Sequence, residues 1–201
     1  LILFGGTDPS GLARRALNSL RRVGYQGHVT IVRGMGAGLL EVNEPVPFTY
    51  SVLENVENMP NLMALADFAY TSAGRTIVEL AAVGTPSICL AQNEKELTHT
   101  HAIETNGVSA LGLGNAVEDE ELDRMTLRLI NDHEYRDEQA RRATEVGRRR
   151  RNRRDAPRRQ RTVLARVRRL REARRRGAEQ RRGQDAAHDQ LTRLHAALAE
   201  Q

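Results

Sequence analysis

Residues 67–91 read DFAYTSAGRTIVELAAVGTPSICLA. A short β-type run, Asp67-Phe68-Ala69-Tyr70-Thr71, meets three small residues, Ser72-Ala73-Gly74, and then a segment with helical spacing, Arg75 to Val83. Gly84 and Pro86 stop that helix before a second apolar run, Ser87 to Ala91. Glycine just past the last periodic residue, with proline soon after, is a helix-stop signal. Strand, tight loop, helix and strand in immediate succession form a β-α-β unit, the building block of a parallel sheet.

The same alternation extends in both directions. Strands are expected at Leu1–Phe4, His28–Val32, Pro47–Val52, Phe68–Thr71, Ser87–Ala91 and Ser109–Leu111. Helices are expected at Pro9–Val23, Asn61–Ala66, Arg75–Val83, Glu94–Asn106, Asp119–Asn131 and Tyr135–Val146. Asp8-Pro9 suits an N-cap followed by proline in the first helical position, and Gly24 suits the end of that helix. Residues 1–146 therefore predict an α/β domain, a Rossmann-like parallel sheet with flanking helices. Such sheets bind ligands beyond the carboxyl ends of their strands, where loops and helix N-termini converge.

Charge divides the chain at the same place. Residues 1–140 hold 10 Lys+Arg against 19 Asp+Glu, and 141–201 hold 21 against 7, giving net charges of −9 and +14. An acidic domain thus precedes an arginine-rich tail, 147–201, read as partly helical or disordered. Stripes at Val163, Val167 and Leu170, and at Leu191, Leu194 and Leu198, have helical spacing. The tail can neutralise nucleic acid or an acidic surface nonspecifically. It contains no Tyr, Phe or Trp for base stacking, so no specific nucleic acid is expected as partner.

No apolar run is long enough to span a bilayer, and no signal-peptide pattern opens the chain. The single cysteine, Cys89, lies in an apolar run and reads as a small core residue, compatible with a reducing cytoplasm. The opening run Leu1-Ile2-Leu3-Phe4, with no preceding segment, carries the expectation that natural sequence precedes it.

Three glycine-bearing loops are candidates for chemistry. Gly5-Gly6-Thr7-Asp8-Pro9-Ser10-Gly11 follows a strand and opens a helix, so it is either a phosphate cradle or a tight turn. It is not a Walker A loop, which needs Gly-Lys-Ser/Thr at its end. Gly34-Met35-Gly36-Ala37-Gly38 lacks the following helix of a dinucleotide fingerprint, since Pro45 and Pro47 intervene, and reads as a flexible surface loop. Ser72-Ala73-Gly74 leaves helix N–H groups and the positive dipole end open to a diphosphate. Glu79, one turn further, either accepts hydrogen bonds from a ribose diol or is a solvated helix carboxylate. His99 and His101, at i and i+2 on the expected helix, point apart and form no chelate pair, and no metal site is expected.

Several stretches together resemble the C-terminal domain of the PseG/SpsG-like proteins. They are Phe4-Gly5-Gly6-Thr7-Asp8-Pro9, Asn55-Val56-Glu57-Asn58-Met59 with Leu62-Met63, Ala66-Asp67, Ser72-Ala73-Gly74, Glu79 to Pro86 and Ala91-Gln92-Asn93-Glu94. That family comprises UDP-sugar hydrolases and transferases of pseudaminic-acid and spore-coat polysaccharide pathways, related in fold to the MurG glycosyltransferase. The run from Ala91 to Thr100 is similar to the version fused to acylneuraminate cytidylyltransferases. The resemblance implies the C-terminal, nucleotide-sugar-binding half of a two-domain GT-B enzyme. It implies a UDP-sugar as substrate, no cofactor, and a role in surface-glycan or acidic-sugar synthesis.

By position, the resemblance assigns Gly5, Gly6 and Thr7 to the phosphates, Val56 to the uracil, and Ser72, Ala73 and Gly74 to the diphosphate. It assigns Glu79 to the ribose and Asn93 to the sugar. Arg75 departs from the hydrolase pattern and is either an added phosphate ligand or an exposed helix residue. The general-base histidine of the hydrolases belongs to an N-terminal domain outside these residues. Half an active site is therefore expected here, with that domain or a fused cytidylyltransferase as partner. His99 either approaches the sugar or sits on a helix surface. The alternative functions are a non-catalytic nucleotide-binding module and an adaptor that binds nucleic acid or other anions through the tail.

Overall fold

The computed structural model describes residues 1–153 except Leu39, Glu41, Asn43 and Glu44. The tail expected from its arginines lies, beyond Arg153, outside the described residues. Six strands form a single sheet: β1 (Ile2–Leu3), β2 (His28–Val32), β3 (Thr49–Leu53), β4 (Ala69–Thr71), β5 (Ser87–Ala91) and β6 (Val108–Leu113). Their order is β3-β2-β1-β4-β5-β6, and every pairing is parallel. The helices are α1 (Leu12–Arg22), α2 (Met59–Leu65), α3 (Thr76–Val83), α4 (Glu94–Leu97), α5 (Asp119–Asn131) and α6 (His133–Arg153). This is the doubly wound, Rossmann-like α/β fold expected from the sequence.

Alternation along the strands explains why both faces are covered. Ile2, Tyr70, Ile88 and Leu90 join Leu12, Leu17 and Leu20 of α1 and Leu122 and Leu129 of α5 in one cluster. Their neighbours Leu3 and Ala69 join Met63 of α2 and Leu80 of α3 in another. Successive strand side chains point to opposite faces, so a strand buried on both sides reads as a continuous apolar run. Each fully buried Leu or Ile contributes about 1.5–3 kcal/mol by leaving water. Cys89 belongs to a third cluster with Ala73, Ile77, Ala91 and Val108, and burial pushes its thiol up to about 12. It is an inert packing group, as read from the sequence.

Three elements differ from expectation. The first helix starts at Leu12 rather than Pro9, because Gly11 takes a left-handed conformation and the Asp8 carboxylate reaches forward to cap the helix. Residues 94–106 do not form one helix: α4 ends at Leu97, and only a 3-10 turn at Glu104–Asn106 follows. Threonines and histidines populate the break, and these favour helix interiors less than straight-chain residues do. The last helix runs through Gly147 to Arg153. A Cβ on Gly147 would stand 2.6 Å from the Ala81 carbonyl oxygen, so glycine lets α6 lie against α3.

Candidate functional site

Connectivity places the site. From β1 the chain moves outward through β2 to β3, then crosses back through α2 to β4 on the other side of β1. The direction of winding reverses between β1 and β4, and a crevice opens there beyond the strand ends. Leu3 pairs with Thr71, so the loops that leave these strands emerge side by side. They are Gly5 to Gly11 and Ser72 to Arg75, two of the three loops singled out in the sequence.

Helix α3 begins in this crevice without a side-chain cap. Among the described residues, the amides of Gly74, Arg75 and Thr76 make no backbone hydrogen bond, while Val78 and Glu79 already donate to the Arg75 carbonyl. Unpaired amides and the positive dipole end coincide, the arrangement that holds phosphate at helix N-termini. Ser72 and Ala73 are buried, Gly74 is half-buried, and Arg75 and Glu79 are exposed, both available to a ligand. Just below, Thr71 is fully buried and its Oγ1 has no partner among the described residues.

The α1 end of the crevice is arranged differently. Asp8 adopts φ 46°, a left-handed conformation that Asp tolerates better than most residues. Its carboxylate accepts from Leu12 N and Ala13 N, both at 2.9 Å. The first amides of α1 are thereby taken by the chain itself. Gly5, Gly6 and Thr7 remain exposed ahead of them.

The Gly34–Gly38 segment, read as a flexible surface loop, packs its first residues on that same turn. Gly36 N donates to Gly6 O at 2.9 Å, and a Cβ on Gly34 would stand 2.3 Å from Gly5 O. Gly34 is there for backbone approach, whereas Gly38 meets nothing. A cavity of about 130 Å³ opens beside them, lined by Gly5, Asp8, Arg14, Arg33 and Gly34. No residue of α3 lines it, so it is separate from the α3 crevice to which the topology points.

Two residues outside the expected set lace the crevice together. Gln92 follows β5; its Nε2 donates to Asp8 Oδ1 at 2.9 Å, and its carbonyl accepts from Ser10 Oγ at 3.2 Å. Glu96, in α4, accepts through Oε2 from Gln92 N at 2.8 Å and from Ala73 N at 3.2 Å. His99 Nδ1 donates to the Ala73 carbonyl at 2.7 Å. His99 therefore lies in a turn against the α3 loop, not on a helix surface. The loops after β1, β4 and β5 thus form a single hydrogen-bonded rim.

Asn93 caps α4, its Oδ1 accepting from Glu96 N at 3.1 Å. Asn93 and Glu96 have the spacing of a capping box, but the Glu side chain turns to the neighbouring loops instead of back to its own N-cap. That spacing was the one sequence signal for Glu96. Val56 leaves the edge strand β3 and is half-buried in the loop before α2, following Asn55, which has φ 50°. It shares the carboxyl edge of the sheet with the other loops, and the chain proceeds from it into α2. Among the described residues, no cluster of three or more His, Cys, Asp or Glu is arranged to hold a metal ion, and no helix is long and apolar enough to cross a membrane.

The sheet order, with helices on both faces, defines a Rossmann-like α/β domain. Its fold matches MurG from Acinetobacter baumannii with a TM-score of 0.55 at 16% identity, over 84% of this chain and 48% of that one. In sequence the chain is similar to the spore coat polysaccharide biosynthesis protein SpsG of Bacillus subtilis, 27% identical over 143 residues. That alignment covers 68% of this chain and 42% of SpsG. It is also similar to the uncharacterized protein MJ1062 of Methanocaldococcus jannaschii, 32% identical over 100 residues, which are 47% of this chain and 21% of that protein. The chain thus spans less than half the length of the curated relatives it matches. No family model matches it.

Proposed function

We propose that this chain is the nucleotide-sugar-binding half of a glycosyltransferase-type enzyme, with a UDP-sugar as its substrate and polysaccharide biosynthesis as its setting. The observation that carries the proposal is the uncapped start of α3 at the β1/β4 reversal, where the amides of Gly74, Arg75 and Thr76 face no partner among the described residues. The relatives support it: one is by name a spore coat polysaccharide biosynthesis protein, and MurG shares the fold.

In this reading the diphosphate lies on the α3 amides, with the Arg75 guanidinium as a charge-assisted donor. Glu79 accepts the ribose hydroxyls, and the Val56 backbone meets the uracil. The amides and the dipole stabilise the negative charge that develops on the diphosphate as the bond to the sugar breaks. They act in place of a divalent cation, so the reading calls for no cofactor. The second half of the active site, with the acceptor or the hydrolytic water, comes from a separate GT-B domain. A cytoplasmic setting, consistent with the buried lone Cys89, belongs to the same proposal.

Calorimetric titration of the chain with UDP, CDP, CMP and NAD tests it. UDP is expected to bind and NAD to give no heat. Binding of NAD alone would contradict the site.

A further inference from the structure

The α3 loop already holds an anion, and it belongs to the chain. Glu96 Oε2 sits on two amides, Ala73 N at 3.2 Å and Gln92 N at 2.8 Å. Glu96 Oε1 accepts nothing among the described residues and lies 3.8 Å from where a Cβ on Gly74 would stand. The carboxylate therefore lies beside Gly74, where the open amides of the α3 start begin. No cation pairs with it among the described residues, in contrast to Glu54, Asp119 and Glu138, each of which meets an arginine. A phosphate placed on the open amides would stand next to a like charge, which is unfavourable where water is partly excluded.

We propose that Glu96 is an internal stand-in for the ligand's phosphate. In the empty protein it holds the Gln92–His99 segment over the α3 loop. An arriving diphosphate takes the Ala73 amide from it and displaces the carboxylate. Glu96 thereby sets a threshold on anion binding and couples ligand entry to release of the segment that follows β5. Because Gln92 also bonds Asp8 and Ser10, that release reaches the β1 loop across the crevice. Ligand binding then has a conformational consequence of defined extent. This inference rests on the nucleotide-site reading and concerns the regulation of that site.

The experiment uses the full chain and its Glu96→Gln and Glu96→Ala variants, titrated with inorganic pyrophosphate, UDP and uridine. Gln keeps an oxygen that can accept from both amides while removing the charge, so it preserves the lacing. Pyrophosphate and UDP are expected to bind about tenfold more tightly to both variants, from the loss of one like charge at short range. Uridine, which carries no phosphate, is expected to be unchanged.

Amide hydrogen exchange on the unmodified chain gives a second, variant-free readout. Saturation with UDP is expected to speed exchange at Gln92, which loses its acceptor, and to slow it at Gly74 to Thr76. Unchanged or weaker UDP binding by Glu96→Gln, with the circular dichroism spectrum intact, overturns the proposal while leaving the nucleotide site standing. Increased protection at Gln92 also overturns it, because Glu96 would then have stayed in place. If none of the three proteins binds UDP or pyrophosphate, the nucleotide-site reading falls and this inference with it.

Discussion

Replacing Gly34 by alanine should destabilise the domain far more than its loop position suggests. The new Cβ would lie 2.3 Å from Gly5 O, 2.4 Å from Gly6 O and 2.5 Å from Gly6 C. All three atoms are backbone, so no side-chain rotation relieves the overlap, and the loops after β1 and β2 must separate by about 1 Å. Overpacking of that kind costs roughly 1–3 kcal/mol. The Gly36 N to Gly6 O hydrogen bond spans the same gap, and losing it adds about 0.5–1.5 kcal/mol. The sum, about 2–4 kcal/mol, corresponds to a fall in Tm on the order of 5–15 °C for a domain of this size. Thermal and urea melts followed by circular dichroism measure it. Gly38→Ala is the control, since nothing lies within 4 Å of its added Cβ. Equal stability of the two variants would refute the close approach of the two loops.

Two further substitutions probe the supports of the crevice. Thr126 Oγ1 donates to Leu122 O and accepts from the buried hydroxyls of Tyr70 at 2.7 Å and Ser19 at 2.9 Å, so Thr126→Val should cost about 1–3 kcal/mol in urea melts by orphaning two buried donors. Thr126→Ser should cost clearly less. The Arg15 hydrogen bond holds the Asp119 carboxyl below its usual range, so its contribution is present above the unfolded carboxylate pKa of about 3.9 and is lost as pH falls through the lower folded value. Asp119 is half-exposed, which limits that contribution to about 0.5–1 kcal/mol at neutral pH. The gap between Asp119→Asn and the parent protein in denaturant melts should therefore close as pH drops below about 4.

What the sequence revealed and what it hid follow from the range of the interactions involved. The α3 unit was readable because its signals are local: small residues before the helix, Gly84 and Pro86 after it, and apolar runs on either side. The parallel sheet was readable for the same reason, repeated along the chain. The role of Gly34 was not, because it depends on a backbone lying 29 positions earlier in the chain. The inter-loop bonds of Gln92 and Glu96 are not legible in sequence because their partners Asp8, Ser10 and Ala73 sit on other loops, and only the folded sheet brings those loops together. The break after Leu97 combined weak helix formers with tertiary anchors, the Glu96 and His99 bonds to Ala73, that fix α4 as a single turn. Asp8 was identified as a cap, but its left-handed backbone moved the helix start to Leu12.

The proposed role of α3 is to hold a ribonucleotide, with its amides on the diphosphate and Glu79 on the ribose. Calorimetric titration of Glu79→Gln with UDP and with 2′-deoxy-UDP tests it most directly. Glu79 is exposed on α3, so an isosteric amide leaves the fold intact. Hydrogen bonds to a charged acceptor contribute about 1.5–3 kcal/mol, which predicts a roughly tenfold to hundredfold loss of UDP affinity. The deoxy ligand lacks one donor beforehand, so its loss should be much smaller, and the two changes should be non-additive. Equal losses for both nucleotides, or no loss for UDP, would contradict the assignment of Glu79 and with it the placement of the nucleotide on α3.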